Sequence, residues 1–397
     1  MNFIFVSPQF PRVYWNFCDR LKKKGVNVLG IGDTPYDHLA HEVRESLTEY
    51  YFVPSLADYD QMLRAVAFFT FKYGRIDWLE SNNEYWLTSD AHLRTDFNIR
   101  TGWLSCDMDH IKNKSAMKPF YKKAGIPTAR LTKVTTLEAG EEFLTEVGYP
   151  VIVKPDTGVG ATDTYRIDNA DELRHFYASK PTVPYVMEEF ITGDICSYDA
   201  IVDADSNPIF ESMTVWPPSV MDIVLYQLDL SYYTTDRVPS ALQKAGRATL
   251  KAFNVRSRFV HLEFFRLTKA KPGLGEVGDF VGLEVNMRPA GGYTTDMMNF
   301  AHSTDVYEIW ADMITANRRL LPDRNEHFYC AYASRRDFHR YVHTHEEILR
   351  RYAGRIVMCE RMPEMMWPQM GNQMYTAKLD GQAETDEFIR FVQEQKN

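Results

Sequence analysis

The stretch GLEVNMRPAGG, residues 282–292, carries three polar side chains at alternate positions. Alternate side chains of a β-strand point to the same face, so Glu284, Asn286 and Arg288 would lie side by side. Carboxylate and amide oxygens are ligands that Mg²⁺ accepts, and a guanidinium neutralises a neighbouring negative charge. Taken alone, the pattern fits a strand with one solvated face at least as well. The Pro-Ala-Gly-Gly that follows ends the strand under either interpretation.

A second acidic strand, HLEFF with Glu263, precedes Glu284 by twenty-one positions, and a glycine-rich link joins the two segments. Such a link favours an antiparallel pair. A charged side chain in an apolar strand is costly to bury unless it is paired or bound to a metal. Glu263, Glu284 and Asn286 are therefore predicted as ligands of one divalent cation. His261 lies on the same face as Glu263 and could orient a ligand, or be a buried histidine with satisfied hydrogen bonds.

The segment VIVKPDTGVGATDT has the residue types of a polyphosphate site. Lys154 ends an apolar strand, and Gly158 and Gly160 follow in a loop. Glycine lets backbone N–H groups approach phosphate oxygens, and lysine supplies a positive point charge. The loop lacks the Gly-Lys-Ser/Thr ending of a P-loop. An ordinary hairpin turn with a solvated lysine explains the segment equally well.

The segment PYVMEEFITGD follows one predicted helix later. Its apolar strand runs into Glu188 and Glu189, and Asp194 comes after a glycine. Backbone groups and carboxylates of this kind suit an adenine edge and a pair of ribose hydroxyls. A charged strand end followed by a turn is the simpler interpretation of this segment in isolation.

The elements that must position these residues fall into three regions. NFIFVS, VNVLGIGD and DWLES alternate with helical patterns, which predicts a parallel sheet with right-handed crossovers. From about Asp107 the pattern becomes α+β with antiparallel strands, including a hairpin that turns at residues 206–207. Capping-box spacing of Thr135 with Glu138 and of Thr344 with Glu347 predicts two helix starts. The segment after Pro322 reads as a smaller unit.

Composition limits the function classes. The 397 residues suffice for two or three domains, and the net charge of −9 argues against a general nucleic-acid-binding surface. Five cysteines lie far apart without a CxxC pair, so we expect neither a disulfide framework nor a structural zinc site, and a cytoplasmic location. The start, MNFIFVSPQFPR, lacks the features of a secretory signal, and no apolar run is long enough for a membrane span.

Taken in order, the four motifs resemble the ATP-grasp superfamily over roughly residues 107–322. The quoted elements are the KP-x-x-G-x-G loop, the EEFI-x-G-D segment, HLE and E-x-N-x-R-P-x-G-G. The resemblance implies a mixed α/β and α+β chain with an ATP-grasp fold. It implies an N-terminal Rossmann-like α/β domain (1–110), an ATP-grasp domain (111–322) with the nucleotide between lobes 111–190 and 191–322, and a small C-terminal subdomain (323–397).

The resemblance also implies roles for individual residues. Catalytic roles fall to Arg288, which would steady the developing negative charge, and to Lys154; Glu263, Glu284 and Asn286 would hold Mg²⁺ or Mn²⁺. The implied ATP-binding residues are Lys114, Lys154, Gly158, Gly160, Ala161, Thr162, Glu188, Glu189, Phe190, Ile191 and Asp194. Asn113 replaces the aspartate that often precedes the first lysine in the family, so the choice between Lys112 and Lys114 stays open.

The RPAGG ending is similar to that of amino-acid and dipeptide ligases of the superfamily, whereas a Gln-Val-Glu-His run typical of biotin carboxylases is missing after the arginine. The resemblance therefore implies an ATP-dependent carboxylate–amine ligase that acts through an acyl phosphate on two small molecules, and it is compatible with a homodimer. A phosphotransferase, a carboxylase-like enzyme and a non-catalytic nucleotide-binding protein are the alternatives. The loop 214–222 is either a substrate-side loop or a plain surface loop.

Overall fold

The alternating strands and helices of the N-terminal region form a parallel sheet of order β3-β2-β1-β4, as predicted. In the computed structural model, the described residues are 1–158, 163–217 and 228–396, apart from the side chain of Met365. The regular elements of this region are β1 (Asn2–Val6), α1 (Trp15–Lys23), β2 (Asn27–Gly32), α2 (His41–Ser46), β3 (Glu49–Phe52), α3 (Tyr59–Tyr73), β4 (Trp78–Glu80) and α4 (Leu87–Asp96).

A second sheet, of order β5-β8-β6-β7, contains the strands that end at Lys154 and at Glu188–Glu189. Its strands pair antiparallel, and Phe143 and Phe176 from two covering helices pack on Val151 and Val153. The elements are α5 (Met108–Lys112), α6 (Lys114–Ala124), β5 (Leu131–Lys133), α7 (Leu137–Val147), β6 (Val151–Pro155), β7 (Tyr165–Ile167), α8 (Ala170–Ser179) and β8 (Tyr185–Glu189).

The third sheet has eight strands in the order β13-β12-β9-β10-β11-β14-β16-β15. Strand β14 pairs with β11, so the segment after Pro322 continues the sheet that carries the acidic strands. The elements are β9 (Gly193–Val202), β10 (Pro208–Trp216), β11 (Ser231–Thr234), α9 (Ser240–Ala252), β12 (Arg258–Leu267), β13 (Phe280–Asn286), α10 (Thr294–Ala301), α11 (Val306–Ala316), β14 (Tyr329–Arg335), α12 (His345–Arg351), β15 (Ile356–Arg361), α13 (Trp367–Met370), β16 (Gln373–Leu379) and α14 (Gln382–Gln393).

The acidic strands pair as predicted. Strands β12 and β13 are antiparallel, and their register sets Glu263 directly opposite Glu284 and His261 opposite Asn286. Directly opposed residues in an antiparallel pair have Cβ atoms about 5 Å apart. The hairpin between β9 and β10 also turns where expected, with Ser206 in the left-handed region at φ 64°.

Helix α6 lies close against β13 because residue 282 is a glycine. A Cβ atom built at Gly282 would come within 2.5 Å of the Tyr121 ring. Any larger side chain would push the helix away from the strand. This contact fixes Lys114, at the start of α6, relative to Glu284 on β13.

One predicted helix start was displaced by one residue. Thr136, not Thr135, is the N-cap of α7, and its side chain accepts a hydrogen bond from the Ala139 N–H. The capping box of Thr344 with Glu347 at the start of α12 is confirmed. Two adjacent threonines offer the same cap chemistry, and the sequence alone does not decide between them.

The five cysteines are free. Within the ranges that the structure describes, no helix combines the length and the apolar character needed to cross a membrane.

A buried ion network joins the N-terminal sheet to the eight-stranded sheet. Glu80, at the end of β4, pairs with Arg258 at the start of β12, and its Oε2 lies 3.4 Å from Arg94 Nη1. Arg258 also donates to the Met287 carbonyl over 2.6 Å. Although burial opposes the shift, the two guanidinium groups lower the pKa of Glu80. The network fixes the loop after β4 beside the end of β13.

Replacing Glu80 by Gln leaves two buried arginines without a charge partner. We expect E80Q to lower the free energy of unfolding by about 3–5 kcal/mol, measured by urea denaturation. The matched control is E49Q, which removes a carboxylate paired with the half-exposed Lys72 and should cost no more than about 1 kcal/mol. Equal losses in the two variants would contradict the importance assigned to the buried network.

Candidate active site

One cavity of about 620 Å³ lies between the strand ends of the two antiparallel sheets. It brings together most of the described residues that the sequence predicted for nucleotide, metal and catalysis. Those that line it are Lys114, Lys154, Gly158, Glu188, Glu189, Phe190, Ile191, Glu263, Glu284, Asn286 and Arg288. Gly160, Ala161 and Thr162 of the predicted phosphate loop lie outside the described residues.

Lys154 is held in place by a buried carboxylate. Glu188 Oε2 lies 2.6 Å from Lys154 Nζ, and Glu188 Oε1 lies 2.7 Å from Lys118 Nζ. Although burial opposes the shift, the charges of Lys154 and Lys118 lower the pKa of Glu188 to about 2. Glu188 is predicted to contact adenine. It also has a second role that the sequence did not indicate, because it fixes the ammonium group of Lys154.

Lys118 is a residue that sequence reasoning missed. It lies four positions after Lys114 in α6, and residues at this spacing share a face of a helix. Both lysines therefore point toward the cavity side, and the helical spacing could have identified Lys118 as a partner for an acidic strand end.

The Glu189 carboxylate serves the framework, and Glu189 also lines the cavity in which it is predicted to contact the nucleotide. It accepts from the Arg130 backbone N–H over 2.7 Å and from Arg130 Nη2 over 2.8 Å, and it lies 3.1 Å from Lys271 Nζ. Lys271 also donates to the Phe190 carbonyl over 2.5 Å. Phe190 and Ile191 remain on the cavity wall, and the Arg166 guanidinium lies 4.8 Å from the centre of the Phe190 ring.

Asp194 lies on the wrong face of its strand for the predicted contact with ribose. It lines a separate cavity of about 350 Å³ together with Cys196 and Tyr233, whereas its neighbour Ile195 lines the main cavity. Successive side chains of a strand point to opposite faces, so β9 can present only one of these two residues to the nucleotide side. The position of Asp194 does not support the predicted role.

The predicted metal ligands lie together at the β12–β13 pair. Glu263, Glu284 and Asn286 all line the cavity. Burial raises the pKa of Glu284; the ammonium of Lys114 opposes the shift, and the carboxylate of Glu263 adds to it. Two opposed carboxylates of this kind favour a bound cation. Within the described ranges no group of three or more His, Cys, Asp and Glu side chains could hold a metal ion. Mg²⁺ needs only one or two carboxylates from the protein, because phosphate oxygens and water complete its shell.

His261 is a buried histidine with satisfied hydrogen bonds that also orients a predicted ligand. Its Nδ1 lies 2.7 Å from Asp199 Oδ1, and its Nε2 lies 3.2 Å from Glu263 Oε1. Burial alone would lower the pKa of His261, but Asp199 and then Glu263 raise it to about 9. Both interpretations offered by the sequence therefore hold for this residue.

The first phosphate lysine is better placed at 114 than at 112. Lys114 lines the cavity, and its Nζ lies 3.4 Å from Glu284 Oε1. Lys112 Nζ instead pairs with Glu84 Oε1 over 2.6 Å.

Glu84 is a second residue that the sequence analysis missed. It belongs to the loop after β4, and its Oε2 lies 3.5 Å from Arg288 Nε. Arg288 also donates to the Pro289 carbonyl over 2.9 Å. The carboxyl ends of parallel strands are the usual place for ligand-binding loops, so the run SNNE after β4 carried a usable signal.

The prediction of a loop over 214–222 is wrong for residues 214–216, which are the last residues of strand β10. Trp216, at the end of this strand, and Pro217 line the cavity. Residues 218–222 lie outside the described residues.

Comparisons of the sequence and the fold with known proteins find similar proteins. The family described as the ATP-grasp domain matches residues 111–252. An L-arginine-specific L-amino acid ligase of Bacillus subtilis is 25% identical over 286 residues, which cover 69% of this chain and 64% of that protein. The chain thus spans somewhat less than two thirds of that relative.

Solved structures share the fold over nearly the whole chain. An L-amino acid ligase from Bacillus licheniformis has a TM-score of 0.73 at 14% identity, with 98% of this chain and 96% of that chain covered. An ADP complex of N5-carboxyaminoimidazole synthetase from Staphylococcus aureus has a TM-score of 0.69 at 12% identity, with 98% and 96% covered. Residues 111–252 thus match the ATP-grasp domain, and nearly the whole chain shares its fold with these solved structures, which agrees with the resemblance in the motifs.

The pair of Glu188 with Lys154 predicts a pH dependence of stability. A carboxyl whose pKa is lowered on folding stabilises the protein above its unfolded value of about 4.3, and this contribution is lost as the pH falls toward the folded value of about 2. We therefore expect the difference in unfolding free energy between wild type and E188Q to be largest above pH 4.5, at about 3 kcal/mol, and to shrink at lower pH.

Urea denaturation at several pH values measures this difference. E364Q, at an exposed glutamate, is the control and should show no comparable change with pH. A constant difference between wild type and E188Q from pH 6 to pH 3 would contradict the role assigned to the buried pair.

Proposed function

We propose that this protein is an ATP-dependent ligase that joins a small carboxylate to a small amine through an acyl phosphate, with ADP and phosphate as the other products. The main support is the set of groups in one cavity. Two buried lysines, two opposed glutamates with Asn286, and Arg288 line the wall of the same cavity. This set supplies the positive and metal-binding groups that phosphoryl transfer requires.

In the first step, an oxygen of the substrate carboxylate attacks the γ-phosphorus of ATP. The bond between the γ-phosphorus and the bridging oxygen breaks, and ADP leaves. Lys114 and Lys154 neutralise the phosphate oxygens, and Glu188 keeps Lys154 in position for this task. A Mg²⁺ ion, for which Glu263, Glu284 and Asn286 are the proposed ligands, would neutralise further negative charge when bound.

In the second step, the amine attacks the carbonyl carbon of the acyl phosphate. The new C–N bond forms, the C–O bond to phosphate breaks, and the amine nitrogen loses a proton. Arg288 would neutralise the oxygen that becomes negative during the attack. Its guanidinium is fixed for this role by Glu84 and by the Pro289 carbonyl.

The names of similar proteins support an amino acid as one substrate. Both the relative from Bacillus subtilis and the structure from Bacillus licheniformis carry the name amino acid ligase. An N5-carboxyaminoimidazole synthetase and a biotin carboxylase domain share the fold as well, so the fold alone does not select the substrate. A cytoplasmic location and a homodimer are further parts of the proposal; the free cysteines agree with a reducing compartment.

The reaction class can be tested by product analysis. We expect ADP and free phosphate to appear in equal amounts when the protein is incubated with ATP, Mg²⁺ and pools of amino acids, and to depend on both a carboxylate and an amine. ADP without free phosphate would indicate a phosphotransferase. Tight ATP binding without turnover in any pool would indicate a non-catalytic nucleotide-binding protein.

Replacing Arg288 by Met should separate catalysis from nucleotide binding. We expect R288M to lower kcat by about 10²–10³-fold, because a group that stabilises the negative oxygen is lost, while the affinity for ATP changes little. Steady-state kinetics and ATP titration measure the two effects. The matched control is R266M, since Arg266 is exposed and lines the separate second cavity. Equal activity of R288M and R266M would contradict the role proposed for Arg288.

A further inference from the structure

The main cavity has a part that the charged groups described above do not form. Its described lining residues are uncharged and mostly apolar or aromatic. They are Trp216, Pro217, Leu230, Tyr232, Ala290, Gly291, Gly292, Thr294, Gln369 and Met370, and we call this part the apolar end.

The chain itself connects the charged part of the cavity to the apolar end. Glu284 and Asn286 on β13 are followed by Arg288, and then by residues 290–292. Strand β13 ends at Asn286, and residues 287–292 form a bend and a turn that continue the cavity wall from Arg288 to residues 290–292. The apolar end thus follows closely after Arg288 in the chain, and a carboxylate bound by Arg288 would have it within reach of its substituent.

Aromatic rings form one side of the apolar end. The Trp216 ring stacks on Tyr232 with 6.1 Å between the ring centres, and Tyr232 stacks on Tyr332 at 4.8 Å. The Trp216 ring also meets His261 edge to face at 5.4 Å. Trp216 thus lies between the predicted metal site and the apolar end, and it presents an aromatic surface to whatever occupies the space.

A methionine forms another side of the apolar end. Met370 belongs to α13 and packs on a core cluster that includes Met297, Met362 and Met374. Methionine side chains are flexible and polarisable, so they adapt to apolar groups of different shape. This side of the apolar end would accept a range of large side chains rather than one.

Gly292 leaves a space open beside Met370 in the apolar end, and Tyr232 contributes a hydroxyl group to its wall. Gly292 has φ 63°, and a Cβ atom built there would lie 3.1 Å from Met370 Cε and 3.5 Å from the Tyr232 hydroxyl. A side chain at this position would occupy space that the glycine leaves open. Within the described residues the buried Tyr232 hydroxyl has no hydrogen-bond partner. Apolar ligand sites commonly carry a few such polar groups, which fix the orientation of the ligand.

We propose, building on the ligase function proposed above, that the carboxylate activated by this protein is an amino acid with a large apolar or aromatic side chain, and that this side chain occupies the apolar end. A charged side chain would lose its hydration there, and none of the described residues of the apolar end would offer it a charge partner. The preference therefore differs from the arginine specificity in the name of the relative from Bacillus subtilis.

Hydroxylamine provides a test that does not require the second substrate. As a small amine it captures acyl phosphates as hydroxamates, so hydroxamate formation from ATP, Mg²⁺ and single amino acids reports which carboxylate is activated. We expect kcat/KM for Phe, Leu and Met to exceed that for Asp, Arg and Gly by at least about tenfold.

Replacing Met370 by Glu tests the position of the side chain. We expect M370E to lower kcat/KM for Phe and Leu by at least about tenfold, because a charge then faces the apolar group, and to raise kcat/KM for Arg relative to wild type. The control is L349E, which adds the same charge at an exposed leucine of α12 and should change neither value. A preference for charged or small amino acids, or an unchanged profile in M370E, would overturn the proposal.

The proposed function and this inference fail in different ways. If no carboxylate gives hydroxamate, the ligase function is wrong, and calorimetric titration with Phe and with Arg in the presence of a non-hydrolysable ATP analogue then decides about the apolar end. Binding of Phe that M370E weakens and L349E does not would support it. Absence of Phe binding, or binding that M370E leaves unchanged, would overturn it.

Discussion

The antiparallel pairing of β12 with β13 is the constraint on which the candidate site depends. It sets the half-buried carboxylates of Glu263 and Glu284 opposite each other, and burial raises the pKa of Glu284. Two such charges are tolerable only among positive groups. Lys114 near Glu284 and His261 beside Glu263 supply part of the compensation, and a bound cation would supply the rest.

The positive groups are in turn held by acidic residues from other parts of the chain. Glu188 on the second sheet positions Lys154, and Glu84 on the loop after β4 contacts Arg288. The buried pair of Glu80 with Arg258 ties that loop to the start of β12. Lys114, Lys154 and Arg288 therefore each have a counter-charge from a different element, so the site depends on the assembled sheets.

Much of this arrangement could be predicted from local patterns. Alternating polar residues predicted the shared face of Glu284, Asn286 and Arg288, and the glycine-rich link predicted the antiparallel partner of β13. The error at Asp194 has a simple cause: the side chains of a strand alternate, and a shift of one residue moves a side chain to the opposite face. The glycine before Asp194 gives no information about which face comes first.

The contact of Glu84 with Arg288 could not be found by pattern alone, because the two residues lie far apart in sequence and no spacing rule connects them. The presence of both charged and apolar walls in one cavity could not be predicted from the sequence either. The apolar end combines the turn after β13 with β11 and α13, which meet only through the continuous eight-stranded sheet. The phosphate and metal groups follow from short motifs, whereas the surface that would distinguish one substrate from another is built by the tertiary fold. A resemblance in motifs therefore predicts the chemistry of activation better than it predicts the substrate.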